Sequence, residues 1–202
     1  GPCYGDKRLR RGKRAVEVLE PNWIWDGEFD GRILCEGAQS VWLDIDHGDY
    51  PYVTSSTTMP YGACSLGFSP RKIRHLIGVA KIYDTKSGVD PLFPQTLWND
   101  PVLNKIIEQG QEYGSTTGRK RIVNWLNLDK LKKAILLTGC TELIINKCDV
   151  LEKIGEFSVI HGNEKINFIN LHKMKEYIVE SLMFSSGGDL YDIAFSGDVE
   201  KV

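Results

Sequence analysis

The sequence lacks any apolar run of the roughly 18 residues that a membrane-spanning helix needs. Nothing at its start reads as a secretory leader. Its five cysteines, Cys3, Cys35, Cys64, Cys140 and Cys148, are odd in number, widely spaced and free of any C-x-x-C pair. Neither a zinc knuckle nor a disulfide scaffold is suggested, and buried or inert thiols in a reducing cytoplasm fit this usage. There is no G-x-x-x-x-G-K-[ST], G-x-S-x-G or H-E-x-x-H, and His47, His75, His161 and His172 are scattered. A net charge of −2 gives no excess that would draw nucleic acid or an acidic membrane.

What is present reads as an ordinary globular chain. It has 202 residues, 42% apolar and 26% charged, which favours one domain over 1–202 with a real core. Residues 7–14 hold six cations, Lys7, Arg8, Arg10, Arg11, Lys13 and Arg14. On a helix, Lys7, Arg10 and Arg14 would share one face. Residues 16–30 read as a polar connector. Short strands are predicted at 32–35 and 41–46, and a stronger one at 75–83 (HLIGVAKIY).

Asp100 and Pro101 predict a helix start, with Val102, Leu103, Ile106 and Ile107 on its apolar side and Gly110 as its stop. A second helix is expected over 127–138 with Gly139 as cap, then a strand at 143–145. A helix over 170–184 and a strand over 190–195 close the chain. Strands alternating with helices predict an α/β fold with a largely parallel sheet flanked by helices. Ligands in such folds sit at the carboxyl ends of strands.

Four segments could carry chemistry. Asn146-Lys147-Cys148-Asp149 follows the strand at 143–145. An aspartate there can accept from guanine N1–H and the exocyclic amine, while the lysine stem covers the base. An ordinary polar turn would have the same composition. Residues 114–121 (GSTTGRKR) place hydroxyls, glycines and arginines in a short loop expected to precede a helix, suited to a carboxylate or phosphate, or simply a solvated basic loop. Gln39, in Glu36-Gly37-Ala38-Gln39, offers an amide to a base or ribose. The hydroxyl-rich 50–58 could hold phosphate oxygens, or satisfy itself as a turn.

Taken together, these segments resemble the adenylosuccinate synthetase family. Residues 36–58 are similar to its E-G-A-Q-G…L-D-I-D-x-G-T-Y-P-[FY]-V-T-S-S-N-T-T. Residues 1–14 resemble G-P-A-Y-E-D-K-x-x-R-R-x-x-R, 114–127 resemble G-x-T-T-G-R-x-R-x-x-x-W-L-D, and 146–152 resemble T-K-L-D-V-L-D, all in the family's order.

The resemblance implies a P-loop-NTPase-like synthetase fold and GTP-dependent ligation of L-aspartate to IMP through 6-phosphoryl-IMP, with Mg²⁺. It implies IMP contacts at Gln39, Thr54, Lys7, Arg10, Arg14 and Arg119, Arg10 reaching across a homodimer interface. Aspartate would meet Ser115, Thr116, Thr117, Gly118, Arg119 and Arg121. GTP would meet Arg121, Lys147, Asp149, Ser196 and Gly197. It also implies that the family's phosphate loop and catalytic Asp and His precede Gly1, so that the chain is a partial one and inactive alone.

Departures stand beside the match. The stretch between the basic segment and E-G-A-Q is shortened. The family's T-R-V-G-x-G-P-F-P-T stands as 85–94 (TKSGVDPLFP), which loses an arginine and gains an acid. Met59-Pro60-Tyr61 replaces an alanine-glycine pair, and S-T-G-P-D-R survives only as Ser196-Gly197-Asp198. A viral relative joining aspartate to dGMP, and an inactive nucleotide-binding module, are the competing expectations.

Overall fold

The computed structural model describes residues 1–24, 31–88, 90, 93, 95–115, 118–185 and 190–197. Contacts gather into two compact units, Gly1–Lys72 and Ile73–Val202, where the sequence suggests a single domain.

The first unit has little apolar core. Its buried described residues are Met59 and Asp44. Helix α1 (Pro2–Arg8) is short, and Arg10 follows it with φ 57°, a left-handed conformation. The helix therefore ends before Arg10 and Arg14, and the shared face expected for Lys7, Arg10 and Arg14 does not form. The strands expected at 32–35 and 41–46 are also absent. Leu34 is 85% exposed, and Val41–Leu43 is a 3₁₀ turn. Apolar runs make strands only when a partner supplies the ladder, and these two find none among the described residues.

The second unit holds the core. Residues 75–83 do not form one strand. They supply β1 (Ile77–Lys81), and the chain then breaks at Ile82 into β2 (Tyr83–Lys86), which joins a different sheet. Helix α2 (Pro101–Gly110) starts as expected, the Asp100 carboxylate accepting from the Val102 and Leu103 amides at 2.8 and 3.0 Å. A cap of this kind contributes about 1 kcal/mol. Strand β3 (Ile122–Asn127) follows, then α3 (Leu128–Thr138), capped by Asn127 and ended by left-handed Gly139.

Strand β4 (Glu142–Asn146) leads into α4 (Cys148–Ile154). A hairpin of β5 (Ser158–His161) and β6 (Glu164–Asn167), helix α5 (Leu171–Ser185) and β7 (Asp192–Phe195) complete the unit.

Strands β1, β4 and β7 form a parallel sheet in that order, Lys81 opposite Asn146 and Ile145 opposite Phe195. The second sheet runs β2-β3-β5-β6, with β2-β3 and β5-β6 antiparallel and β3-β5 parallel. Ile82, Leu103, Ile106, Leu126, Ile145, Leu151, Met174 and Ile178 fill the space between strands and helices. The expected α/β architecture with a helix-flanked parallel sheet is what forms. Of the five thiols, Cys140 and Cys148 are buried, Cys64 is half-buried, and Cys3 and Cys35 are exposed.

Candidate functional site

The parallel sheet brings the ends of three strands to one edge. Ile82 N–H donates to Asn146 O at 3.0 Å, Ser196 N–H to Ile145 O at 3.0 Å, Lys147 N–H to Gly197 O at 2.9 Å and Cys148 N–H to Ser196 O at 3.2 Å. Lys147 takes a left-handed turn (φ 63°), which lets the chain leave β4 and enter α4 without a loop. Asp149 consequently lies in the first turn of α4 beside Gly197. A methyl built on Gly197 would stand 3.4 Å from Asp149 Cβ and 3.7 Å from its Oδ1.

Three buried oxygens at this edge, Asn146 Oδ1, Asp149 Oδ1 and Ser196 Oγ, have no hydrogen-bond partner among the described residues. Leaving such a group unpaired costs about 1–3 kcal/mol. Three together, two of them acceptors only, could accept hydrogen bonds from a ligand edge that carries N–H donors. The other Asp149 oxygen accepts from Lys153 at 3.1 Å. Lys147, Asp149, Ser196 and Gly197, which the sequence singles out, stand together at this edge. The sequence does not single out Asn146 as a participant.

A second cluster adjoins. Residues 81, 83 and 85 alternate along the chain and turn to one side. Lys81 Nζ donates to both oxygens of Glu112 at 2.8 and 2.7 Å and to Thr85 Oγ1 at 3.3 Å. Tyr83 OH and Arg121 Nη1 also donate to Glu112, at 2.9 and 2.8 Å. Burial alone would raise the Glu112 pKa, but the bonds and charge of Lys81, then Arg121 and Tyr83, hold it below the ordinary value. Burial lowers the Lys81 pKa, opposed by Glu112, and burial with the Glu112 charge pushes the Tyr83 phenol up. None of Lys81, Tyr83 or Glu112 was legible as a site residue, because no motif spans positions 81 to 121.

The loop at 114–121 precedes strand β3, not the helix expected there. A Tyr113–Lys120 bridge closes it, with Gly114 N–H donating to Arg119 O and Gly118 N–H to Gly114 O. Gly118 is left-handed (φ 62°), and a side chain on Gly88 would meet the Arg119 guanidinium. Ser115, Gly118 and Arg119 thus share one turn, while Thr116 and Thr117 lie outside the described residues. The acid that departs from the family pattern, Asp90, pairs with Lys86 at 2.9 Å, both nearly buried.

In the first unit, Asp44 organises the hydroxyl-rich segment. Its Oδ1 accepts from the Asp46 and His47 amides, both at 3.0 Å, and its Oδ2 from Thr57 Oγ1 at 3.0 Å and the Thr58 amide at 2.6 Å. Thr54 N–H donates to Leu43 O at 2.8 Å, and Gln39 is held at φ 63°. Among the described residues, no three His, Cys, Asp or Glu side chains gather where they could hold a metal ion.

Residues 25–177 match the family model described as adenylosuccinate synthetase. The chain belongs to the adenylosuccinate synthetase family. An adenylosuccinate synthetase of Thermodesulfovibrio yellowstonii is 47% identical over 84% of this chain and 52% of that protein. One of Desulforapulum autotrophicum is 42% identical over 88% and 52%.

The chain thus spans about half the length of these two relatives. Among solved structures, the fully ligated adenylosuccinate synthetase of Plasmodium falciparum superposes with a TM-score of 0.65, 27% identity, over 73% of this chain and 45% of that one. The cyanophage S-2L succinoaminodeoxyadenylate synthetase, bound to dGMP and dATP, shares the fold alone, at a TM-score of 0.53 and 17% identity over 80% and 42%. Adenylosuccinate synthetases are ligases of purine biosynthesis, and the parallel sheet of this chain is that family's architecture.

Proposed function

We propose that this chain carries the guanine-nucleotide site and substrate-anion loops of an adenylosuccinate synthetase, the GTP-dependent ligase that joins L-aspartate to IMP in AMP biosynthesis. One observation carries the reading: the three unpaired buried oxygens gathered at Asp149. Guanine presents N1–H and an exocyclic amine along one edge, whereas adenine offers an acceptor at N1 and so cannot satisfy a carboxylate in the same way. Lys147 lies along the base, and Ser196 and Gly197 complete its rim. The relatives named adenylosuccinate synthetase, at 42% identity and above, support IMP over dGMP as the second nucleotide.

In this reading the γ-phosphoryl of GTP passes to O6 of IMP. The aspartate amine then attacks C6, and the phosphate leaves with that oxygen. The residues of the chain bind and orient. Gln39 and the Thr54 hydroxyl meet IMP. The loop of Ser115, Thr116, Thr117 and Gly118, with Arg119 and Arg121, holds the aspartate carboxylates and neighbouring phosphate charge. Lys7, Arg10 and Arg14 serve IMP in a homodimer, Arg10 across the interface. Mg²⁺ accompanying GTP would neutralise triphosphate charge. The described residues offer it no cluster of ligands, so they are assigned no part in holding it. A cytoplasmic enzyme suits the free thiols at Cys3 and Cys35.

Calorimetric titration of the chain with GDP and with ADP, for wild type and Asp149→Asn, tests the base site. The expected result is a preference for GDP that Asp149→Asn abolishes, at least tenfold on the scale of a charge-assisted hydrogen bond. Equal binding of the two nucleotides, or a preference unaffected by Asp149→Asn, would overturn the guanine assignment.

A further inference from the structure

Glu112 is 1% exposed and its four lone-pair positions are filled, by Lys81 twice, Tyr83 and Arg121. Lys81 directs its three protons to the two Glu112 oxygens and Thr85. The Tyr83 hydroxyl proton is likewise committed. Arg121 differs. Among the described residues its guanidinium makes the one bond from Nη1, and a third of the side chain (33%) is exposed. One carboxylate faces two cations, so the cluster holds a surplus positive charge and leaves its spare N–H donors on Arg121 alone.

Single-point attachment sets a direction. A guanidinium free at every corner turns about its bonds, whereas one tethered through Nη1 to a carboxylate bonded on four sides keeps its other donors within a narrower range of directions. The sheet ends hold the carboxylate: Lys81 closes β1 and Tyr83 opens β2, and both donate to it. Glu112 itself precedes the 114–121 loop, and Arg121 N–H donates back to Glu112 O at 2.9 Å, so backbone and side chain tie the same two residues.

We propose that Glu112 is a positioning residue, which orients the Arg121 guanidinium so that its remaining donors meet an anionic substrate group, a carboxylate or a phosphate. This rests on the reading above that Arg121 meets substrate. Glu112 touches no reacting atom. It acts through Arg121.

The test uses the full chain with isotope-labelled arginine, in wild type, K81M and the K81M/E112L double variant. Removing Lys81 together with the Glu112 charge avoids stranding a buried cation, and K81M is the reference for the double variant. In wild type the Arg121 Nη resonances are expected to be resolved by hindered rotation, and in the double variant to merge. Affinity for L-aspartate, or the gain of GDP over guanosine, should fall about tenfold from K81M to the double variant. Loss in the aspartate arm identifies a carboxylate, and loss in the GDP arm a phosphate.

Guanosine meets the base site alone, so its binding should be equal in both variants. Failure of wild type to bind guanosine would count against the guanine reading and leave the Arg121 resonances to decide on Glu112. Resonances already merged in wild type, or still resolved without Glu112, would overturn the proposal. So would their release with neither affinity changed, which would leave Glu112 a packing residue only.

Discussion

Tyr83 OH donates to Glu112 Oε1 at 2.9 Å directly over Gly110, the last residue of α2, and a methyl built on that glycine collides with the phenol oxygen. Glycine here is a matter of space. The phenol must pass over the helix end to reach the carboxylate.

Gly110→Ala is therefore expected to destabilise the second unit by about 1–3 kcal/mol, the usual cost of overpacking a core. Tyr83→Phe in the same chain removes the clashing oxygen and should recover part of that loss. Urea denaturation of the two single variants and the double variant gives the coupling. Strictly additive effects would show that the clash is relieved elsewhere.

Asp84 shows the opposite electrostatic outcome from Glu112. Burial raises its pKa to about 6, and only the Asn127 amide at 3.1 Å and the Lys130 charge oppose it. The folded state thus binds a proton that the unfolded chain, titrating near 3.8, releases. Stability contributed by this proton is present below about pH 4 and is lost as pH rises through 6. Asp84→Asn keeps an acceptor for the Asn127 amide and removes the charge. It should stabilise the chain at pH 7.5 by about 3 kcal/mol and leave it little changed at pH 4. Denaturation at the two pH values checks this, and a gain of equal size at both would contradict it.

Asp44 has a buried carboxylate whose burial would raise its pKa, yet bonds from Thr58, Asp46, Thr57 and His47 outweigh that and lower it. Its contribution is present above the unfolded value of 3.8 and is lost as pH falls through the folded value. Asp44→Ala leaves three amides and one hydroxyl without their acceptor and should cost about 2 kcal/mol or more. The Thr58 amide resonance should titrate with a midpoint below 3.8 in wild type and not at all in Asp44→Asn.

Sequence pattern located elements that carry their own signals. Asp100 and Asn127 announce α2 and α3 because their side chains accept from the helix amides at 2.8 to 3.0 Å. The β4 end and Asp149 were legible because an apolar run stops at a polar tetrad. Strand β3 was not, since IVNWLN passes into α3 with no turn residue between them. Helix α4 hid for a like reason: left-handed Lys147 replaces a loop. The 32–35 and 41–46 runs misled because apolar content cannot say whether a partner strand exists. Glu112 and Asn146 escaped because their roles come from groups far along the chain, which only the folded sheet assembles.

The single residue Ile82 between β1 and β2 makes length, more than composition, what this stretch must preserve. Lys81 and Tyr83 reach the same carboxylate because they stand two apart on an extended chain. Other apolar residues could replace Ile82 at modest cost. One residue more or fewer would let each sheet keep its ladder yet turn the amine and the phenol to opposite sides. Drift in this chain can therefore proceed by substitution at position 82, while an insertion or deletion there would separate the two halves of the cluster at a stroke.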